Sequence, residues 1–122
     1  MTQVCRGLRG ATTAQANTRE AVLEATRELL ELLVEANDLN TEDLAATFFT
    51  TSPDLNAEYP AVAARQMGWE YVPLICGHEM DVPTGLPLCI RVMILVNTEN
   101  RPEDMNHLYL RDAKHLRSRN VS

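Results

Sequence analysis

The sequence predicts an α+β (mixed α/β) fold in which a mixed sheet carries two main helices on one face. The first observation is a long run of apolar residues at helical spacing, from Val22 to Ala36, with charged residues between them. The second is a shorter helical pattern that follows Pro60. The third is a set of strand-like apolar runs placed between and after these helices. A length of 122 residues fits one domain, so we expect a single domain over 1–122.

The first two elements are a strand and the long helix. Residues 3–8 have strand character, and Gly10 marks the expected end of that strand. Asn17, followed by Glu20 three residues later, fits a variant of the capping box and predicts the start of the helix. The apolar stripe continues to Asn37, where we expect the helix to end.

The rest of the chain alternates strands and turns with one further helix. Pro60 fits the first position of that helix, because proline lacks the N–H that would be unpaired there. The predicted elements are, in order, a helical turn at 41–43, a strand at 45–51, the second helix at about 60–67, a strand at 71–75, a loop at 77–87, a strand at 89–98, a turn at 101–104 and a last strand at 107–116. Residues 117–122 have little to bury and are expected to form a mobile tail. One layer of two helices leaves part of the sheet without a partner, so we expect self-association.

Charge and hydropathy exclude several classes of protein. A net charge of −6 argues against nucleic-acid binding, which depends on basic surfaces. No apolar run approaches the ~18–20 residues of a membrane span, and the N-terminal residues lack the apolar core of a signal peptide. We therefore expect a cytoplasmic protein that does not act at a membrane.

Arginine strongly outnumbers lysine in this chain, with ten arginines against the single Lys114. Arginine is the better residue for two-pronged recognition of a carboxylate or phosphate. A GC-rich genome would produce the same bias, so both explanations stay open.

The three cysteines are Cys5, Cys76 and Cys89. Their odd number and the absence of a CxxC pair argue against a disulfide framework and against a zinc ribbon. Free cysteines of this kind are typical of a reducing compartment.

The segment CIRVMILVNT, residues 89–98, contains a charged residue within an otherwise buried type of strand. Arg91 shares one strand face with Cys89 and Met93, while the residues between them take the other, more surely buried face. A guanidinium is always charged and is costly to bury without a partner. Arg91 therefore either binds an anionic ligand or lies on an edge strand, from which its guanidinium reaches water.

Two other segments contain residues that could take part in chemistry. In GLRGATT, Arg9 precedes Gly10 at a strand end, where an exposed arginine is the usual explanation, and the spacing is not that of a phosphate-binding loop. In CGHE, residues 76–79, a metal site would need ligands that the sequence does not offer at a recognised spacing. Cys76 as a nucleophile with His78 as its base lacks an orienting third group. Glu79, at a strand-to-loop corner, suits a fixed hydrogen-bond acceptor, and both interpretations stay open.

Four motifs in order along the chain resemble one known family. GLRGATT, SPDLNAEYPAVAAR, YVPLICGHEMDVPTGLPLCIRVM and HLYLRDAKHLR are together similar to the small monofunctional chorismate mutases of the AroH class, over 6–117. The resemblance implies a chorismate mutase-like fold with a ferredoxin-like βαβ arrangement. It also implies a homotrimeric pseudo-barrel with active sites between subunits. The implied reaction converts chorismate to prephenate, on the route to phenylalanine and tyrosine, without a cofactor or a metal.

The resemblance also implies roles for particular residues. Arg91 would stabilise the negative charge that grows on the ether oxygen of chorismate as its C–O bond breaks. Arg9 would bind a substrate carboxylate, and Glu79 would accept a hydrogen bond from the ring hydroxyl. The other implied site residues are Cys76 beside that hydroxyl, Tyr109 on a carboxylate, Tyr59, Ala61 and Arg65 from the neighbouring subunit, and Leu116 and Arg117 at the start of the tail.

Two positions depart from the family pattern. Val62 stands where relatives often have a basic residue, and Tyr59 replaces a common phenylalanine.

Two other functions fit the same arginines. One is an imine or enamine deaminase on a similar trimeric fold, which would need a site that activates water. The other is a non-catalytic module that binds a small aromatic acid.

Overall fold

A computed structural model of the chain describes residues 2–116. Within this range the chain forms five strands, two α-helices and three short 3₁₀ helices. The strands are β1 (Val4–Thr13), β2 (Leu44–Thr51), β3 (Leu74–His78), β4 (Cys89–Thr98) and β5 (Leu108–Tyr109). The helices are α1 (Arg19–Asn37) and α2 (Ala61–Gln66), with 3₁₀ helices at Thr41–Asp43, Pro102–Asp104 and Arg111–His115.

All five described strands belong to one mixed sheet, in the order β3-β2-β4-β1-β5. Strand β4 is antiparallel to both of its neighbours, while β3 is parallel to β2 and β5 is parallel to β1. Because β4 lies in the middle of the sheet, the interpretation that Arg91 lies on an edge strand is wrong.

Both helices pack on the same face of the sheet, as the sequence predicted. Leu29, Leu30 and Leu33 of α1 and Ala64 of α2 are fully buried in one core cluster, which also contains Phe49 from the sheet. The apolar side chains of β4 that alternate with Arg91 are at most 3% exposed, and all but Ile90, which packs with α1 in a second cluster, belong to this cluster. The helix stripe and the strand alternation therefore pack against each other in both clusters. Among residues 2–116, no helix is both long and apolar enough to cross a bilayer.

The opposite face of the sheet has no α-helix over it in the described chain. Phe48 and Ile75 are register partners on this open face, and their side chains are 43% and 59% exposed. Only the end near the 3₁₀ helix Arg111–His115 is covered, because Ala113 and Leu116 bury Ala11 there. Along β2 and β3 this face presents exposed apolar side chains that another molecule could cover.

Gly10 allows α1 to approach β1 closely. A Cβ added to this residue would lie 2.8 Å from Cδ1 of Leu33 and 3.1 Å from Cδ1 of Leu29. We expect Gly10→Ala to lower the free energy of unfolding by about 1–3 kcal/mol, as overpacking of a filled core typically does. Chemical denaturation at one fixed protein concentration measures this difference. An unchanged denaturation midpoint would contradict the close packing described for Gly10.

The predicted capping box at the start of α1 is wrong by one residue. Thr18 is the N-cap, and its hydroxyl accepts a hydrogen bond from the backbone N–H of Ala21. Asn17 instead ties the loop before α1 to the loop after β2, because its Oδ1 accepts hydrogen bonds from the backbone N–H groups of Asn56 and Ala57. Asn17 and Thr18 are both residue types that cap helices. Because the Asn17 side chain binds the loop after β2, Thr18 is the cap.

Two predicted strands have different bounds in the structure. The strand predicted at 71–75 begins only at Leu74, because Pro73 has no N–H to donate and Tyr71 is 90% exposed in the preceding turn. Gly77, expected in a loop, belongs to this strand. The strand predicted at 107–116 is reduced to Leu108–Tyr109, because Arg111 takes a left-handed φ of 53° and starts a 3₁₀ helix.

Smaller differences concern β1 and α2. β1 continues past Gly10 to Thr13, since all of its residues pair with β4. Pro60 is the N-cap of α2 rather than its first residue. The predicted strand at 89–98 and the helical turn at 41–43 are confirmed.

Candidate active site

A cavity of about 190 Å³ opens on the uncovered face of the sheet. Its walls contain apolar side chains from β2 and β4, including Phe48 and Met93, and Leu116 closes one end. Its polar lining comes from five residues: Arg9, Thr50, Glu79, Arg91 and Tyr109. An apolar cavity with a few convergent polar groups is the usual form of a small-molecule site.

Strand register brings the two arginines of this cavity together. Arg91 of β4 lies opposite Ala11 of β1, and Arg9 of β1 lies opposite Met93 of β4. The arginines are thus diagonal neighbours on one face of an antiparallel pair, a relation that places Cα atoms roughly 7–8 Å apart. Two guanidinium groups on one small surface create a site for a compact anion with more than one negative charge.

Glu79 follows β3 and enters the same cavity from the side of β2. Its Oε2 accepts a hydrogen bond from the hydroxyl of Thr50 and lies 3.9 Å from Nε of Arg91. The Arg91 and Glu79 side chains are 27% and 36% exposed. An ion pair this long and this open to water adds little stability. The pair therefore places an acceptor and a cation side by side for a ligand.

Tyr109 contributes a polar group that the described residues leave unpaired. Its hydroxyl oxygen is buried, and no hydrogen-bond partner for it exists among residues 2–116. Buried hydroxyl groups are nearly always hydrogen-bonded, so an unpaired one that lines a cavity indicates a ligand.

The wall at Leu116 is anchored by an arginine outside the cavity. Arg111 donates hydrogen bonds to the carbonyl of Thr13 at 3.0 Å and to Glu28 of α1 at 3.1 Å. This anchor fixes the 3₁₀ helix Arg111–His115 against β1 and brings Leu116 to the cavity. Arg117, the other predicted residue of the tail, and the expected mobile segment 117–122 lie outside the described residues.

Cys89 lies beneath this wall as part of the apolar packing. Its side chain packs with Ala11, Ala113 and Leu116, and the residue is 3% exposed. Burial raises the pKa of the Cys89 thiol, and the nearby positive charge of Arg91 only partly offsets this effect. The thiol is therefore neutral near pH 7 and acts as a small apolar side chain.

Other predicted site residues lie around a second cavity, of about 390 Å³, on the far side of β3. Tyr59, 69% exposed, and Cys76 both line it. The backbone N–H of Ala61 is hydrogen-bonded to the Cys76 thiol, yet burial dominates and raises the pKa of that thiol. Cys76 alternates with the open-face residue Ile75, so within one chain it does not reach the cavity of Arg91.

A nucleophilic role for Cys76 receives no support from its surroundings. A reactive cysteine needs a lowered pKa, and that of Cys76 is raised. Nδ1 of His78 lies 2.9 Å from the hydroxyl of Thr51, so this ring is oriented by a threonine. Within residues 2–116, no group of three histidine, cysteine, aspartate or glutamate side chains could hold a metal ion.

Arg65 is held by its own chain. Its Nη1 donates hydrogen bonds to the backbone carbonyls of Trp69, Glu70 and Val72, which stabilise the turn between α2 and β3. This guanidinium therefore has a structural task, and its predicted contact with substrate stays a prediction.

Sequence reasoning missed Phe48, Thr50 and Met93 as lining residues of the first cavity. Phe48 and Thr50 alternate with the buried residues Thr47 and Phe49 along β2, which places them on one face. That alternation was the available signal. It could not show which face carried the cavity, because that depends on the pairing with β4.

The fold and the cavity define a small α+β protein with a site for a compact organic anion on an open sheet face. Residues 5–119 match the family model described as chorismate mutase type I. The chain is 44% identical to chorismate mutase AroH of Bacillus subtilis (strain 168) over 113 residues, 92% of this chain and 89% of that protein. It is 48% identical to chorismate mutase AroH of Thermus thermophilus over 113 residues, 92% of this chain and 93% of that protein.

A solved structure supports the same assignment. The chorismate mutase from Clostridium thermocellum superimposes with a TM-score of 0.88 at 44% identity, covering 89% of this chain and 97% of that one. The chain therefore belongs to the type I chorismate mutase family. This membership confirms the predicted family and fold class.

Proposed function

We propose that this chain is an isomerase that rearranges chorismate to prephenate. The observation that carries the proposal is the convergence of Arg9, Glu79, Arg91 and Tyr109 on one cavity of the open sheet face. Family membership supplies the reaction, and this set of groups matches the needs of its substrate.

The chemistry is a pericyclic rearrangement within one molecule. The ether C–O bond of chorismate breaks while a new C–C bond forms, with no proton transfer and no covalent link to the protein. The enzyme must hold the reactive conformer and stabilise the charge that shifts in the transition state. A cavity that offers cations and a fixed acceptor suits this task.

Arg91 is the group assigned to the ether oxygen. This oxygen gains negative charge as the C–O bond breaks, so a fixed cation there stabilises the transition state more than the bound substrate. The central position of β4 supports this role, because ladders on both sides hold the backbone of Arg91. Glu79, oriented by Thr50, accepts a hydrogen bond from the ring hydroxyl.

Arg9 and Tyr109 are assigned to the carboxylates of the substrate. Chorismate has two carboxylates, so it needs a second cation besides Arg91 and can also use a neutral donor. The buried hydroxyl of Tyr109 is such a donor, with its hydrogen bond unmade within residues 2–116. The backbone N–H of Arg9 donates to Nδ1 of His107 at 2.9 Å, a contact that ties β1 to the segment before β5.

The remaining residues of the site are assigned to a neighbouring copy of the chain, in a homotrimer. Tyr59 and Cys76 line the second cavity, and the backbone N–H of Ala61 is hydrogen-bonded to the Cys76 thiol. The second cavity shares no lining residue with the first. A head-to-tail contact that closes a ring would bring the second cavity of one subunit to the first cavity of the next. The exposed apolar side chains Phe48 and Ile75 support burial of this face.

Arg65, Leu116 and Arg117 complete the proposed substrate contacts. Leu116 already lines the first cavity, while Arg65 is proposed to act from the neighbouring subunit. Arg117 directly follows Leu116 in the sequence and is proposed to contact the substrate from the start of the tail.

The direct test is the loss of the ultraviolet absorbance of chorismate with purified protein, together with chemical identification of the product. We expect saturable conversion to prephenate that withstands a metal chelator. Tight binding of prephenate without turnover would instead indicate a binding module. Release of ammonia from an imine or enamine, without consumption of chorismate, would indicate a deaminase.

A further inference from the structure

Leu88, the residue directly before β4, has a backbone conformation that residues with a Cβ rarely adopt. Its φ is 52°, in the left-handed region that favours glycine. Only Cys89 and Ile90 separate it from Arg91. A non-glycine residue in this conformation persists only where surrounding contacts enforce it.

Asp54 and Ser52 supply those contacts. The backbone N–H of Leu88 donates to both carboxylate oxygens of Asp54, at 3.2 Å to Oδ1 and 2.9 Å to Oδ2. The hydroxyl of Ser52 donates to Oδ1 of Asp54 at 2.5 Å and accepts from the backbone N–H of Cys89 at 2.8 Å. On the other side, the carbonyl of Leu88 accepts from Ala14 at 2.8 Å. The two peptide groups of Leu88 are thus both held.

This clamp and Arg91 border the same cavity. Ser52, Asp54, Glu79 and Arg91 are all among the lining residues of this cavity, which has a volume of about 280 Å³. Asp54 does not line the cavity proposed to hold substrate. Any effect of Asp54 on the reaction must therefore pass through the backbone at the start of β4 or through its charge.

We propose that Asp54 is a positioning residue for Arg91. It holds Leu88 in the left-handed conformation, which sets the direction in which β4 leaves the loop and hence where the guanidinium of Arg91 points. The inference rests on the proposed function, because the placement of Arg91 matters for turnover only if Arg91 contacts the reacting oxygen.

The test combines Asp54→Ala with Leu88→Gly. Because a displacement of about 1 Å can cost up to about 10²-fold in rate, we expect Asp54→Ala to lower kcat by about tenfold or more. KM should change by no more than about twofold, since Arg9 and Tyr109 stay in place. Glycine adopts a positive φ without the clamp, so the double variant Asp54→Ala/Leu88→Gly should recover most of the lost kcat. Leu88→Gly alone should stay within about threefold of the unaltered protein.

Two further variants control for misfolding and for the general effect of removing an aspartate. Asp54→Asn retains a side-chain oxygen that can accept a hydrogen bond from the backbone N–H of Leu88, so it should keep most of kcat. It therefore still tests the proposal if Asp54→Ala folds poorly. Asp104→Ala is the matched control, because Asp104 also accepts a backbone N–H, from Arg101 at 3.2 Å, but at a distant turn. Unchanged kcat in Asp54→Ala overturns the proposal. So does a loss of kcat that Leu88→Gly fails to restore, since Asp54 would then act by charge or loop stability.

Nuclear magnetic resonance separates failure of this inference from failure of the proposed function. The Nε–H resonance of Arg91 should shift in Asp54→Ala and return in the double variant, whether or not chorismate is consumed. An Arg91 resonance that is the same in all variants overturns the positioning role. If the unaltered protein fails to consume chorismate, the proposed function is overturned. The Arg91 resonance still tests whether Asp54 positions Arg91, because it does not depend on turnover.

Discussion

Arg91→Ala is expected to lower kcat for chorismate by at least ~10²–10³, the usual cost of one preorganised donor in a transition state. The reason is that Arg91 is proposed to meet charge that appears only as the C–O bond breaks. Substrate binding should suffer less, because Arg9 and Tyr109, the residues proposed to bind the carboxylates, are unchanged. Steady-state kinetics that resolve kcat from KM measure this split.

Arg91→Lys and Arg101→Ala complete that experiment. Lysine keeps the charge but replaces the planar guanidinium by a single ammonium, so we expect Arg91→Lys to lose much of the activity as well. Arg101 is the matched control, since it pairs with Glu103 at 3.0 Å and its side chain is 76% exposed. Turnover of Arg91→Ala within a few-fold of the unaltered protein would refute the proposed mechanism.

Ile75→Glu is expected to remove assembly and activity together. Ile75 is 59% exposed on the open face, next to Phe48. A carboxylate buried there without a partner costs about 3–5 kcal/mol, and a cyclic trimer would meet that cost at every interface. Light scattering should therefore report the mass of one chain instead of three. Turnover should fall with it, because the second cavity of a neighbour no longer completes the site.

Tyr71→Glu serves as the control for the assembly experiment. Tyr71 is 90% exposed but lies in the turn before β3 rather than on the sheet face. This variant should keep both the trimer and the activity. Two results would contradict the proposal: a trimeric Ile75→Glu, which would exclude this face as the interface, or an active monomer, which would place the whole site within one chain.

Local patterns were enough to predict the long helix and the central strand. The helix ends at Asn37 as predicted, and β4 covers Cys89–Thr98 as predicted, because each has a long, unbroken hydrophobic pattern. Short elements were predicted less well. The last strand stops after Tyr109 because Arg111 turns to bind Thr13 and Glu28, and no local pattern contains that contact.

The candidate site shows the same division between local and long-range information. The chemistry of single residues identified Arg91 as a charge that needs either an anionic ligand or access to water, and the resemblance to a family added roles for Arg9, Glu79 and Tyr109. Their meeting in one cavity depends on strand register, which pairs Arg91 with Ala11 and Thr50 from distant parts of the chain.

The sequence alone was sufficient for the family and for the sheet with two helices, because these follow from motifs and periodicity. It also named the charged residues that line the first cavity, Arg9, Glu79 and Arg91. The folded chain was needed to separate the predicted residues into two cavities and to leave one sheet face open. Side chains one residue apart on a strand point to opposite faces, so a pattern shows that Ile75 and Cys76 diverge. Which of them faces the helices is decided only when the sheet packs against α1 and α2.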